Sequence, residues 1–198
     1  MKNFLSLLAG IFFVSSSLYA AEIYKVDPAT SEIQFVSVKN ETVKVPGVFK
    51  KFDGQVSLDN RDISGRVTVD INSLDTKDNT RNTNLKTTFF ETPVKADYRK
   101  AVFILERATL SQPLSETNQT VTVHGHLTLH GQTKPLETDL VVSQKDGKVN
   151  VRTVRPIILA FADWDFTRLV PRLMSLCGHK SLDSTASVSL NLFLKNKN

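Results

Sequence analysis

The side chains in this sequence that can do chemistry are few, and their spacing limits what they can do together. His124 and His126 stand two residues apart, which on a strand sets both imidazoles on one face, a known arrangement for two metal ligands. His130 extends that row if the strand stays regular. A zinc site needs three or four converging ligands, and no cysteine or carboxylate adjoins the pair to complete one. Alternation with Val123, Leu127 and Leu129 turns the histidines outward, so water is their expected partner and no metal is expected.

Two further groups give no stronger signal. Cys177 and His179 suggest a nucleophile and its base, but the Gly178 segment between them supplies neither an orienting group nor an oxyanion donor. A loop thiol is the expected reading. Asp163 and Asp165 flank Trp164; paired carboxylates suit acid/base work, yet beside a short helical segment they are expected to cap a turn. The chain holds no G-x-S-x-G, phosphate-binding loop or dinucleotide fingerprint. No catalytic residue and no required cofactor are expected.

Strands are the elements that must position these side chains, because hydrophobic alternation with period two dominates the sequence. Val67, Val69 and Ile71 alternate with Arg66, Thr68 and Asp70, and Val121, Val123, Leu127 and Leu129 with Thr122, His126 and Thr128. Leu136, Leu140 and Val142 alternate less cleanly, since Val141 breaks the pattern, whereas Ala186, Val188, Leu190, Leu192 and Leu194 form a long closing strand. Further strands are expected at residues 24–27, 32–38, 48–58 and 101–107. Turn signals at His130-Gly131-Gln132-Thr133 and Lys145-Asp146-Gly147-Lys148 make consecutive strands antiparallel. The fold class is therefore all-β, with about eight or nine strands whose edges are best removed by closing a barrel. Residues 76–90 and 162–176 interrupt the pattern; they are expected to be helical or irregular lids, the second broken by Pro171.

The chain has 198 residues, of which 40% are hydrophobic and 23% charged, enough for one domain with a real core. Its first twenty residues have a separate purpose. Lys2, the apolar run Phe4 to Val14 and the small residues ending at Ala20 read as a secretory signal cut after Ala20. Residues 21–198 then form the barrel domain, exported to the periplasm. The apolar run falls short of the roughly 17–25 residues that span a bilayer, so stable membrane insertion is not expected. The formal charge of +5 is mild and spread along the chain, which gives nucleic acid little to grip. Cys177 is the only cysteine, so no internal disulfide can form and the core must hold the fold.

Four motifs in order carry a resemblance: Phe49-Lys50-Lys51-Phe52-Asp53-Gly54, then Ser73-Leu74-Asp75-Thr76, then the run from Arg81 through Leu85-Lys86 to Phe89-Phe90, and last Leu127-Thr128-Leu129-His130-Gly131-Gln132-Thr133-Lys134-Pro135. Together they resemble the YceI-like family. The resemblance implies an elongated eight-stranded antiparallel lipocalin-like barrel with one or two short helical segments. It also implies an exported binding protein whose partner is a long-chain isoprenoid or fatty amphiphile, with a bound isoprenoid lipid or quinone and room for a homodimer. Asn40, the Asn82-Thr83-Asn84 run and Arg99 depart from the residues common in the family at those places.

Nine of the twelve Phe lie beyond residue 20, with only two Tyr and one Trp, so the aromatic surface is short of polar tips. That suits an apolar cavity. With the resemblance, the cavity-lining residues are expected to be Ile33, Phe35, Phe49, Phe52, Val67, Val69, Phe89, Phe90, Phe103, Leu105, Leu127, Leu129 and Trp164. An eight-stranded barrel is wide enough either to be filled or to hold one slender ligand. Two readings from other classes stay open at this point: an exported enzyme using Cys177 or the His124/His126 pair, and a solid-core envelope interaction or stress protein.

Overall fold

The computed structural model describes residues 21–197; the signal sequence inferred at residues 1–20 lies outside the described residues. Twelve strands make one antiparallel sheet: β1 (Glu22–Val26), β2 (Glu32–Lys39), β3 (Val43–Phe49), β4 (Phe52–Asp59), β5 (Asp62–Asp70), β6 (Leu74–Asp75), β7 (Lys100–Thr109), β8 (Gln119–Leu129), β9 (Gln132–Lys145), β10 (Lys148–Thr153), β11 (Ile157–Ala160) and β12 (Leu182–Asn196). Eight of them close a ring in the order β1, β4, β5, β7, β8, β9, β10, β12 and back to β1. The all-β, eight-stranded antiparallel barrel expected from alternation and resemblance is thus the fold.

The remaining four strands extend staves of that ring. On one edge of β12 lie β1 and then β2, and on the other lie β10 and then β11. Breaks between paired segments have local causes. Asp27 folds back on Ala29 N and Thr30 Oγ1, which ends β1 before β2 begins. The single strand expected at 48–58 is instead β3 and β4, because the amides of Lys50 and Lys51 turn aside to Ser73.

Two hairpins use the turn geometry their sequences demand. His130 and Gly131 (φ 51° and 75°) join β8 to β9, and Asp146 and Gly147 (φ 50° and 72°) join β9 to β10. The first turn corrects the expectation for His130. A left-handed residue leaves the strand pattern, so His130 is buried rather than continuing the outward row of His124 and His126.

Helical segments gather at one end. Helix α1 (Asn79–Asn84) starts on the Asp78 side chain, which accepts from Arg81 N, and runs into a π-turn at Leu85–Phe89. A 3-10 turn at Phe161–Trp164 precedes helix α2 (Val170–Cys177). Pro171 does not break α2, as expected from sequence, but sits in its first turn, where the missing amide has no intrahelical partner to lose.

Glycines let the barrel wall carry large rings without filling the lumen. Phe35 lies against Gly47 on the neighbouring strand, and Phe103 against Gly125. A Cβ on Gly125 would overlap the Ile104 carbonyl oxygen and come within 2.7 Å of Phe103 Cζ. Gly125→Ala is expected to destabilise the fold by about 1–3 kcal/mol through overpacking, read from urea denaturation; an unchanged midpoint would show that the wall is not this tight.

Candidate ligand cavity

Alternate residues of every long strand point into the ring, and they leave a cavity of about 290 Å³ at its centre. Its openness has a physical basis in small residues. Gly65, Ala101 and Ala186 stand on the inner wall, while the Phe35 and Phe103 rings lie against Gly47 and Gly125 rather than crossing the space. The cavity is also long. Val121 and Leu129, eight residues apart on β8, both line it, a span of about 20 Å along the barrel axis at ~3.4 Å per residue and the ~40° tilt of barrel strands.

Of the expected lining residues, Ile33, Phe35, Phe49, Val67, Val69, Phe89, Phe90, Phe103, Leu105, Leu127, Leu129 and Trp164 border this space. Phe52 does not. It faces inward opposite Val69, but its ring packs into the core cluster with Tyr24, Val26 and Leu194. Sequence reasoning omitted Ile71, Ile157, Leu159, Phe161, Phe166 and Leu173, which also line the cavity. The β12 row was visible in the alternation and could have been added. Phe166 and Leu173 belong to the irregular stretch 162–176, whose helix-like spacing did not say which side chains turn toward the barrel.

The wall is almost wholly apolar. Ser37, Thr138, Tyr24 and Arg66 are its polar members, and the exposed Arg66 directs its Nε to Thr68 Oγ1. Tyr24 donates its hydroxyl to Glu22 Oε2 at 2.5 Å, and burial together with that carboxylate pushes its pKa up to about 12. It stays neutral at any physiological pH.

Aromatic rings close the helical end. Phe89 stacks on Phe166 at 4.6 Å and meets Phe161 edge-on at 5.1 Å. Polar groups then tie this lid to the barrel. His130, stacked on Tyr98 at 3.9 Å, donates through Nδ1 to the Trp164 carbonyl at 3.1 Å. Its Nε2 lies 3.3 Å from Glu91 Oε2, outside hydrogen-bond geometry. Glu91 accepts from Arg168 at 2.7 Å, and Arg172 stands 3.6 Å away. Burial pushes the His130 pKa below its ordinary value, and the Arg168 guanidinium holds Glu91 below the usual carboxylate range. Deeper in the lid, Asn82 accepts from both the amide and the hydroxyl of Thr76 and donates to Asp75.

The groups that suggested chemistry are dispersed. His124 is exposed and His126 half-exposed on the outer wall, each beside a carboxylate from a neighbouring strand: Glu137 at 3.2 Å and Glu106 at 2.8 Å. Cross-strand pairing, invisible in local sequence, supplies those partners. Among the described residues no three His, Cys, Asp or Glu side chains converge as metal ligands. Cys177 is half-buried and accepts from Asn84 Nδ2 at 3.5 Å. Asp165 ends the 3-10 turn at φ 60° and accepts from Arg168 Nε, while Asp163 is exposed.

Comparison with known proteins places this barrel. Among solved structures, a polyisoprenoid binding domain from Saccharophagus degradans is 24% identical with a TM-score of 0.74, the match covering 87% of this chain and 98% of that one. Burkholderia cenocepacia BcnA is 20% identical with a TM-score of 0.66, covering 85% of this chain and 98% of that one. The Campylobacter jejuni YCEI protein is 20% identical with a TM-score of 0.55, covering 78% and 85%. At these identities the likeness is one of fold. No curated protein matches the chain. The family model for the YceI-like domain matches residues 24–192, nearly the whole described barrel, and the chain therefore belongs to the YceI-like family.

Proposed function

We propose that this protein is a periplasmic carrier that holds the long apolar tail of an isoprenoid, of polyprenyl or quinone type, inside its barrel. The observation that carries this reading is the cavity's shape and chemistry together. A slot of about 20 Å is longer than half the ~30 Å bilayer core, so it takes a tail longer than one acyl chain. Its apolar wall gives affinity through buried area, at ~25 cal/mol per Å², and offers no ion pair to a sugar or nucleotide. Holding such a tail needs no catalytic group. The polyisoprenoid binding domain that shares the fold supports the ligand class, and the signal-like residues 1–20 support export.

The test is to extract the purified protein with organic solvent and analyse the extract by mass spectrometry. One long-chain isoprenoid per chain is expected. Protein that carries no lipid, and takes none from vesicles loaded with a polyprenol, would overturn the reading.

A further inference from the structure

The barrel wall is not hydrogen-bonded all the way round: besides the outer edge of β6, where the sheet ends, a gap runs between β9 and β11. Strands β9 and β10 pair from Lys145↔Lys148 to Leu140↔Thr153, and the Val154 amide still reaches the Asp139 carbonyl. Beyond that point β11 pairs only with β12. Among the described residues no backbone hydrogen bond joins residues 132–138 of β9 to residues 155–160. Proline accounts for the split. If the β9–β10 register continued, Pro156 would face Glu137 and Pro135 would face Ile158; each proline lacks the amide that pairing needs, and proline within a sheet marks an unpaired edge.

The seam is closed at its far end where His130 holds the Trp164 carbonyl. Between these two ties it runs about 20 Å, at ~3.4 Å per residue over 132–138. Its two faces are continuous. Leu136, Thr138 and Ile157 line the central cavity and also an outer groove of about 230 Å³ that includes Val154, Arg155 and Ile158. One layer of side chains therefore separates lumen from exterior. Ile158 is 62% exposed and Val154 43%, so two apolar side chains stand on the outside of the seam among Glu137, Asp139 and Arg155.

Building on the carrier reading above, we infer that the lipid tail enters and leaves sideways, through the seam between β9 and β11, and not through the helical lid. Energetics favour this route. Opening the lid breaks the His130 and Glu91–Arg168 hydrogen bonds and unstacks the Phe89–Phe166 pair, whereas parting the seam breaks no backbone bond and displaces the side chains that separate lumen from groove, Leu136, Thr138 and Ile157. The tail replaces those side chains as apolar contact while it passes.

Bridging the seam tests this. In a Cys177→Ser background that keeps both prolines, Glu137→Cys and Ile158→Cys, on opposite sides of the outer groove, are joined in the folded protein by a short bis-maleimide, with a control capped by a monofunctional maleimide. Uptake of nitrobenzoxadiazole-labelled geranylgeraniol from phosphatidylcholine vesicles is then followed by fluorescence. The bridged protein is expected to load at least tenfold more slowly than the capped control, and protein bridged after loading to release its probe at least tenfold more slowly. Equal rates in bridged and capped protein overturn the lateral route and leave the carrier reading standing. Failure of parent and capped protein alike to bind the probe overturns both.

Discussion

Leu127→Asp is expected to empty the barrel of lipid. Leu127 is buried on β8, lining the cavity beside its cross-strand partner Phe103. An aspartate there places an unpaired carboxylate against the tail, since Arg66, the cation among the lining residues, is exposed and directed to Thr68. The carboxyl responds by raising its own pKa, so the loss is largest near neutral pH and reverses in part as acid protonates it. Lipid occupancy near pH 7.5 is expected to fall at least about tenfold, ~1.4 kcal/mol of binding, with stability lowered by about 3 kcal/mol or more. Val69→Trp separates affinity from charge. An indole placed in a cavity of about 290 Å³ occupies the ligand's space without a buried charge, so lipid is lost while the lipid-free melting temperature holds or rises. Mass spectrometry of native protein reads occupancy in both variants; wild-type lipid in both would sink the carrier reading.

Acid is expected to loosen the lid before it unfolds the barrel. His130 has its folded pKa held below the unfolded value of 6.5 by burial. Its contribution is full above that value and is lost as pH falls through the folded one. Glu91 has its folded pKa held below 4.5 by Arg168, so its contribution begins to fail only below about pH 4.5. Both losses act at the same place, where Arg168 and the Trp164 carbonyl hold the lid. Hydrogen-exchange protection at residues 161–177, taken relative to the unstructured rate at the same pH, is expected to fall below about pH 6.5 and again below about pH 4.5, while the β8–β9 ladder stays protected. His130→Asn keeps a residue that tolerates the left-handed turn and is expected to abolish the first step. Glu91→Gln removes the charge that Arg168 and Arg172 face; it is expected to cost about 2 kcal/mol and to abolish the second. Identical exchange profiles for wild type and His130→Asn between about pH 7.5 and 5 would show that His130 does not govern the lid.

Much of the cavity was legible because a strand's inside and outside are set by a period of two. Val67, Val69, Leu127 and Leu129 could be assigned to an inner face from their neighbours alone, and they stand on the cavity wall. Phe52 shows the limit of that reasoning. Alternation puts a residue on the inner face, but whether it borders open space or fills a core depends on what the other strands contribute at the same level. Asp-Gly and His-Gly were readable as turns because positive φ is a local property of two residues. The burial of His130 was not, since it depends on Tyr98, Trp164 and Glu91 arriving from 32 to 39 positions away in the chain.

By itself the sequence determined an all-β chain, its antiparallel order, its inward rows and the resemblance to the YceI-like family, all of which rest on short-range patterns or on motifs kept in order. Tertiary structure alone decided that the barrel is open along its axis and unpaired along one seam. Openness comes from Phe35 against Gly47 and Phe103 against Gly125, contacts in which a ring and the glycine beneath it belong to different strands. The seam comes from Pro135 and Pro156, each an ordinary residue in its own segment, meeting across a register that only the folded sheet creates.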